Sequence, residues 1–199
     1  MNLEGINMWQ REKIREMTIT GLFTVLAIIG GKVSIPVLMI PFTLQTAVCF
    51  LTGMVLGRRQ AMRVYALYLF MGLMGLPVFA KGGGPSYVFQ PSFGYLPGLL
   101  FAAGLIGFLA EKVDPERGSM KRAQAFLIHL CGLVVIYLFG VGYLYLLKKW
   151  SSPDSITFLR ALQAGMLPYL FTDGIYAGVL AFVVPGLRRV TRPSFAHCQ

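Results

Sequence analysis

Charge is what this chain has least of. Asp, Glu, Lys and Arg make up 13% of its 199 residues, against about 25% in a soluble domain. Acids are the scarcer sign, 8 against 18 basic residues. Half of the usual solvated surface is therefore missing, which excludes a soluble enzyme and a separate soluble domain. Cysteine is sparse as well. Cys49 and Cys131 fall in apolar stretches and Cys198 lies beside the C-terminus, with no C-x-x-C spacing, so these thiols read as small hydrophobes and not as a disulfide scaffold. The two histidines, His129 and His197, form no i, i+4 pair, and no carboxylate cluster accompanies them. A metal site is not expected. His129 reads as a helix-packing hydrogen-bond donor and His197 as part of a polar tail. No G-x-x-x-x-G-K-[ST] loop occurs, since Gly82-Gly83-Gly84 has neither the lysine nor the hydroxyl. Uphill movement of a solute would then draw on a partner or a gradient. Serine-nucleophile and H-E-x-x-H motifs are also missing, which leaves an intramembrane enzyme only Asp173 and His129.

What the chain has is apolar length. It is 56% hydrophobic, with a mean hydropathy of +0.66. The stretches 17–31, 33–57, 64–80, 82–110, 123–147 and 161–187 hold no charge, or a single one. About 20 apolar residues cross a bilayer as a helix. The pattern predicts an all-α integral membrane protein, one domain over 1–199, with six transmembrane helices at about 17–33, 43–57, 64–76, 93–110, 123–147 and 161–187. Residues 1–16, with Trp9 and alternating charges, read as an interfacial lead-in. Gly30-Gly31-Lys32 offers no A-x-A cleavage site, so the first stretch is a retained helix and not a signal peptide.

The excess of base marks orientation. With the N-terminus in the cytoplasm, 13 basic residues fall on the cytoplasmic side and 5 on the other (Lys32, Lys81, Lys148, Lys149 and Arg160). That split follows the positive-inside rule and places both termini in the cytoplasm. No basic patch is interleaved with aromatics as a nucleic-acid interface would be, so no nucleic-acid partner is expected. The bilayer is the expected surrounding.

Two features stand apart from plain spans. Residues 34–42 carry two prolines, and 77–92 (PVFAKGGGPSYVFQPS) carry three glycines in a row, three prolines and three aromatics. Neither can be regular helix, and irregular backbone at membrane depth is tolerated where it lines a cavity. Asp173 is the one acid within a span. An Asp at a helix centre costs roughly 2.5–3.5 kcal/mol on insertion scales. It serves either as a helix–helix hydrogen bond or as a ligand or ion contact. Tyr169 and Tyr176 can share its helical face, and Pro168, five residues earlier, frees a backbone carbonyl.

The segments PFTLQT (41–46), GLPVFAKGGGP (75–85) and QPSFGYLPG (90–98) resemble BioY, the biotin-binding S-component of energy-coupling factor (ECF) transporters. Pro91, Ser92, Gly94, Tyr95, Leu96 and Gly98 fit the family pattern, while Gln90 and Phe93 depart from it. The resemblance covers nearly the whole chain. It implies the ECF S-component fold in a prokaryotic cell membrane, with loops 32–42 and 76–92 capping biotin, the transported ligand, and no cofactor. Partners implied are a transmembrane coupling subunit and two ATPase subunits, with small residues on the first helix (Thr20/Thr24, Ala27/Gly31) offering a close approach. The family's last helix carries P-x-x-x-G-D-x-x-K. Here Pro168 and Asp173 match, Thr172 replaces the glycine and Tyr176 the lysine.

Site residues expected on this footing are Asp173, Tyr176, Gln45, Lys81, Ser86, Tyr87, Ser92 and Tyr95. Asp173 would accept from the ureido N–H groups, and Gln45 would donate to the ureido carbonyl or else cap the backbone that Pro41 breaks. Lys81 would meet the valerate carboxylate or stand solvated. Among Phe79, Tyr87, Phe89, Phe93 and Tyr95, the two tyrosines are expected to enclose the bicycle; interface anchoring is the alternative for all five. A gradient-driven vitamin carrier acting alone, with Asp173 relaying protons, is the other functional class. The halves share no spaced Gly/Pro pattern, which speaks against an inverted-repeat carrier.

Overall fold

The structure is a computed structural model and describes residues 8–35, 40–151 and 157–190. Helix α1 (Met8–Lys32) leads into a two-residue antiparallel ladder, β1 (Ser34–Ile35) with β2 (Phe42–Thr43), in which Ser34 faces Thr43. Then come α2 (Gln45–Leu56), α3 (Arg58–Leu73), a 3-10 turn (Pro85–Phe89), α4 (Tyr95–Val113), α5 (Arg122–Ser151), α6 (Phe158–Gly165) and α7 (Leu167–Val190). Four of these, α1, α4, α5 and α7, are long and apolar enough to cross a membrane. The 12 residues of α2 reach only about 18 Å at 1.5 Å per residue, and α3 opens on Arg58 and Arg59. Seven α-helices thus stand among the described residues where six spans were expected.

The differences have local causes. No proline lies between Met8 and Lys32 and no glycine before Gly21, so α1 absorbs the expected lead-in from residue 8 onward, with the Lys13 ammonium 3.6 Å from the Trp9 ring centroid. The expected polar turn at 57–63 shrinks to Gly57 alone, because Arg, Gln, Ala and Met are good helix formers and only the glycine interrupts them. Gly57 sits at φ +83°, and a Cβ there would stand 2.1 Å from Glu111 Oε1, the atom that accepts the Arg58 N–H at 2.9 Å. The expected sixth span divides at Met166 into α6 and α7, with Pro168 in the first turn of α7. Pro36 lies within 36–39, which are outside the described residues, as are Asp154, Arg192, His197 and Cys198, whereas Pro41 is described.

Buried positions on α5 recur as 125, 128, 129, 132, 133, 136, 137, 140, 141 and 144, an inward stripe at helical spacing. On α7 they step mostly by four: Tyr169, Asp173, Ala177, Ala181, Val184 and Arg188. His129 is fully buried, stacked on Phe50 with ring centroids 4.7 Å apart, its Nδ1 3.4 Å from the Ala177 carbonyl oxygen.

The end of the bundle opposite the glycine-rich loop is stapled. Arg188 donates to Asp114 Oδ2 at 3.2 Å, to the carbonyls of Asp114 (2.8 Å) and Ala110 (3.2 Å), and to that of Met54. Arg117 reaches the Val55 carbonyl at 2.8 Å. Two arginines thereby converge on carbonyls at the ends of α2 and α4, adding donors where helical ones run out or are shared. Burial works against the charge on Asp114. The Ser119 and Gly118 N–H groups, the Ser119 hydroxyl and Arg188 outweigh it and lower the carboxyl to about 2.

Candidate functional site

The irregular segments and the starts of α2 and α4 meet the middle of α5 and the first turns of α7 around a cavity of about 660 Å³, counting its open mouth. The motif 41–46 supplies Pro41, Thr43, Gln45 and Thr46 to its wall, and α4 with its entry supplies Ser92, Tyr95, Leu96 and Leu99. From α5 come Ile136 and Tyr137, and from α7 Tyr169 and Asp173.

Asp173 is the one acid on this wall, and it is 7% exposed. The Tyr137 hydroxyl donates to its Oδ2 at 2.6 Å, and Thr46 is directed at the same carboxyl. Gln45, also buried, neighbours the Tyr68 hydroxyl, yet its Nε2 forms no well-aligned hydrogen bond among the described residues. Tyr87 is backed by the Phe79 ring, 4.6 Å away, and its hydroxyl lies 3.4 Å from Ser92 Oγ. The α6–α7 break leaves the Gly165 carbonyl without a helical partner, and the Tyr95 hydroxyl takes it at 2.7 Å. Tyr95 can lie this close because α5 carries no side chain at Gly140, where a Cβ would stand 2.3 Å from the ring. Tyr169 donates across the cavity to the Ile40 carbonyl. The strap over the mouth is tied to α5 twice: Tyr143 donates to the Val88 carbonyl, and Phe89 stacks on Trp150 with ring centroids 6.4 Å apart.

Of the expected residues, Gln45, Tyr87, Ser92, Tyr95 and Asp173 lie together on the wall, while Lys81, Ser86 and Tyr176 do not. Lys81 and Ser86 are exposed on the strap, although Ala80, next to Lys81, is on the wall. Tyr176 is half-buried on the flank of α7 because the inward line steps from Asp173 to Ala177. Phe79 is fully buried beneath Tyr87, Phe89 faces outward at 64% exposure, and Phe93 packs on Tyr143 at 5.7 Å. The sequence reading missed Tyr137, Thr46 and Ile136. Nothing marks Tyr137 apart from its α5 neighbours Tyr143 and Tyr145, and only its three- and four-residue steps to Gly140 and Val141 along the inward stripe could have found it.

A pocket held within membrane-length helices, lined by apolar side chains with one carboxylate, a carboxamide, three aliphatic hydroxyls and a ring of phenols, is that of a membrane-embedded protein binding a small solute. Comparison with known proteins narrows the class. The pattern of the BioY family matches residues 5–193. The chain is 33% identical to a probable biotin transporter BioY of Lysinibacillus sphaericus, over 95% of this chain and 94% of that one. It is also 33% identical to the biotin transporter BioY of Thermotoga maritima, over 89% and 98%. A crystal structure of the S-component for biotin from an ECF-type ABC transporter superposes with a TM-score of 0.78 at 26% identity, covering 92% of this chain and 95% of that one. The chain belongs to the BioY family.

Proposed function

We propose that this chain binds biotin in the cavity and delivers it across the cell membrane as the substrate-specific subunit of an ECF transporter. The observation that carries the reading is Asp173: a buried carboxylate with acceptor capacity left, facing an apolar, phenol-rimmed pocket in a chain whose relatives are named biotin transporters. Biotin's ureido group offers two N–H donors and one carbonyl. Tyr137 uses one lone pair of Asp173 Oδ2, and a carboxylate has about four acceptor sites, so Asp173 can take a ureido N–H in a charge-assisted bond. The Gln45 amide suits the ureido carbonyl. Leu99, Ile136, Tyr87 and Tyr95 present apolar surface to the bicycle. For the valerate carboxylate, Tyr176 brings no cation, and Lys81, beside Ala80 at the mouth, supplies it, with Ser86 on the same strap and Ser92 on the wall.

In this reading both termini are cytoplasmic and the cavity opens outward, as the concentration of basic residues at the stapled end supports. A transmembrane coupling subunit and two ATPase subunits provide the energy, in keeping with the structural neighbour, an S-component of an ECF-type ABC transporter.

Calorimetric titration of the purified protein with biotin tests the site. Hydrogen bonds to charged groups contribute about 1.5–3 kcal/mol, so Asp173→Asn is expected to weaken binding at least about tenfold. Absence of binding by the unaltered chain would overturn the substrate, and an unchanged dissociation constant in Lys81→Ala would remove Lys81 from the site. Uptake of labelled biotin is expected to require the ATPase partners. Uptake that ignores them and collapses with an uncoupler would make the chain a gradient-driven carrier.

A further inference from the structure

A second concavity lies at the opposite end of the molecule. Beside Pro185, inside α7, a groove opens between the last turns of α7 and the start of α5, with Ser119, Lys121, Arg122, Phe182, Gly186 and Arg189 on its wall. Three cations converge here from segments more than 60 residues apart. Neither the Arg63–Glu16 nor the Arg188–Asp114 ion pair involves them. Arg122 stands over the Phe182 ring at 4.6 Å, a contact that positions the guanidinium and leaves its edge donors available. Among the described residues, Arg189 donates from its Nε to the Gly118 carbonyl at 3.1 Å. At Gly186 a Cβ would meet nothing within 4 Å, so the groove is open there.

The groove also continues into apolar surface. Phe171, Ile175, Val179 and Phe182 are exposed along α7, at steps of four, four and three that keep them on one helical face. An orientation signal needs only a count of basic residues in a loop. It does not need three of them gathered over an apolar floor at the head of an apolar track. A protein docking on the basic end alone would leave that track unused.

We infer that this groove binds the headgroup of an anionic phospholipid. The phosphodiester lies among Lys121, Arg122 and Arg189, and one acyl chain runs along the α7 track past Phe182. In the orientation proposed above, the groove lies at the cytoplasmic leaflet, where juxtamembrane basic residues meet anionic lipid.

Native mass spectrometry of the purified chain, titrated with phosphatidylglycerol and separately with phosphatidylcholine, tests this. Phosphatidylglycerol is expected to be retained in preference. Each charge removed in the series R122Q, R122Q/R189Q, K121Q/R122Q/R189Q is expected to weaken retention about fivefold. Gly186→Leu keeps every charge and fills the groove; it is expected to lose the preference too, which diffuse attraction of charge would not. Helix content and monodispersity check the fold without reference to biotin. Unchanged phosphatidylglycerol retention in the triple variant would overturn the proposal, including the case in which that variant instead loses its transporter partners. Equal occupancy by glycerol phosphate or inorganic phosphate would overturn it in favour of a soluble anion.

Discussion

Among the described residues two carboxylates are buried, and their company differs. Asp114 is met by Arg188, two backbone N–H groups and the Ser119 hydroxyl, so its acceptor capacity is filled from within the chain. Asp173 has the Tyr137 hydroxyl at 2.6 Å, with Thr46 directed at the same carboxyl, and it lines the cavity. The first is a staple, and the second lines the pocket in which we propose that biotin binds. Tyr137→Phe removes the donor that fixes Asp173 and is expected to weaken biotin about tenfold, measured by titration, with the fold retained. Asp114 titrates at about 2, below the ordinary value of about 3.9. A carboxyl lowered on folding stabilises the native state above the unfolded value and loses that contribution as pH falls through the folded one. Thermal stability in detergent is therefore expected to fall between about pH 4 and 2, and Asp114→Asn should flatten that part of the profile. At this scale the sequence was most legible where chemistry is expensive: a lone acid in a span announces itself. Lys81 drew attention for the same scarcity of charge, yet its side chain is exposed and off the cavity wall.

At the scale of elements, the legible features were the breakers. Pro41, the 82–84 triplet and Pro168 mark the irregular segments that build the cavity mouth and its α7 wall. Charge misled where it was taken as a sign of loop. The arginines after Gly57 are helical, since nothing in that run resists a helix, whereas the charged run after Trp9, read as an interfacial lead-in, continues into α1 without a break. Helix α7 shows why spacing alone misplaced Tyr176: positions 173 and 176 share a broad face, but the inward line follows steps of four to Ala177. The partner helix matters equally. Gly140→Val would drive a side chain into the Tyr95 ring; loss of biotin binding with retained helix content is the expected result, read by titration and circular dichroism.

Across the whole molecule the two ends are built differently. One end is made of straps and short strands held by tyrosine hydroxyls, and the other is locked by arginines onto helix-end carbonyls. Helices α2 and α7 join them, α2 from Gln45 to Met54 and α7 from Asp173 to Arg188. This polarity was visible in the sequence only as an uneven count of basic residues. The contacts that make it are long-range, 74 residues apart for Arg188 and Asp114, and no local pattern encodes them. Its orientation is testable directly: green fluorescent protein fused after the C-terminus is expected to fluoresce, and alkaline phosphatase at the same place to stay inactive.

The stack of Phe89 on Trp150 has an optical consequence. The chain has two tryptophans; Trp9 stands at the start of α1, and Trp150 rests against the strap at the cavity mouth. With Trp9→Phe, red-edge excitation, where phenols do not absorb, leaves a single emitter pressed on that strap. The molecule then carries its own unlabelled fluorophore, and titration with biotin is expected to shift its emission.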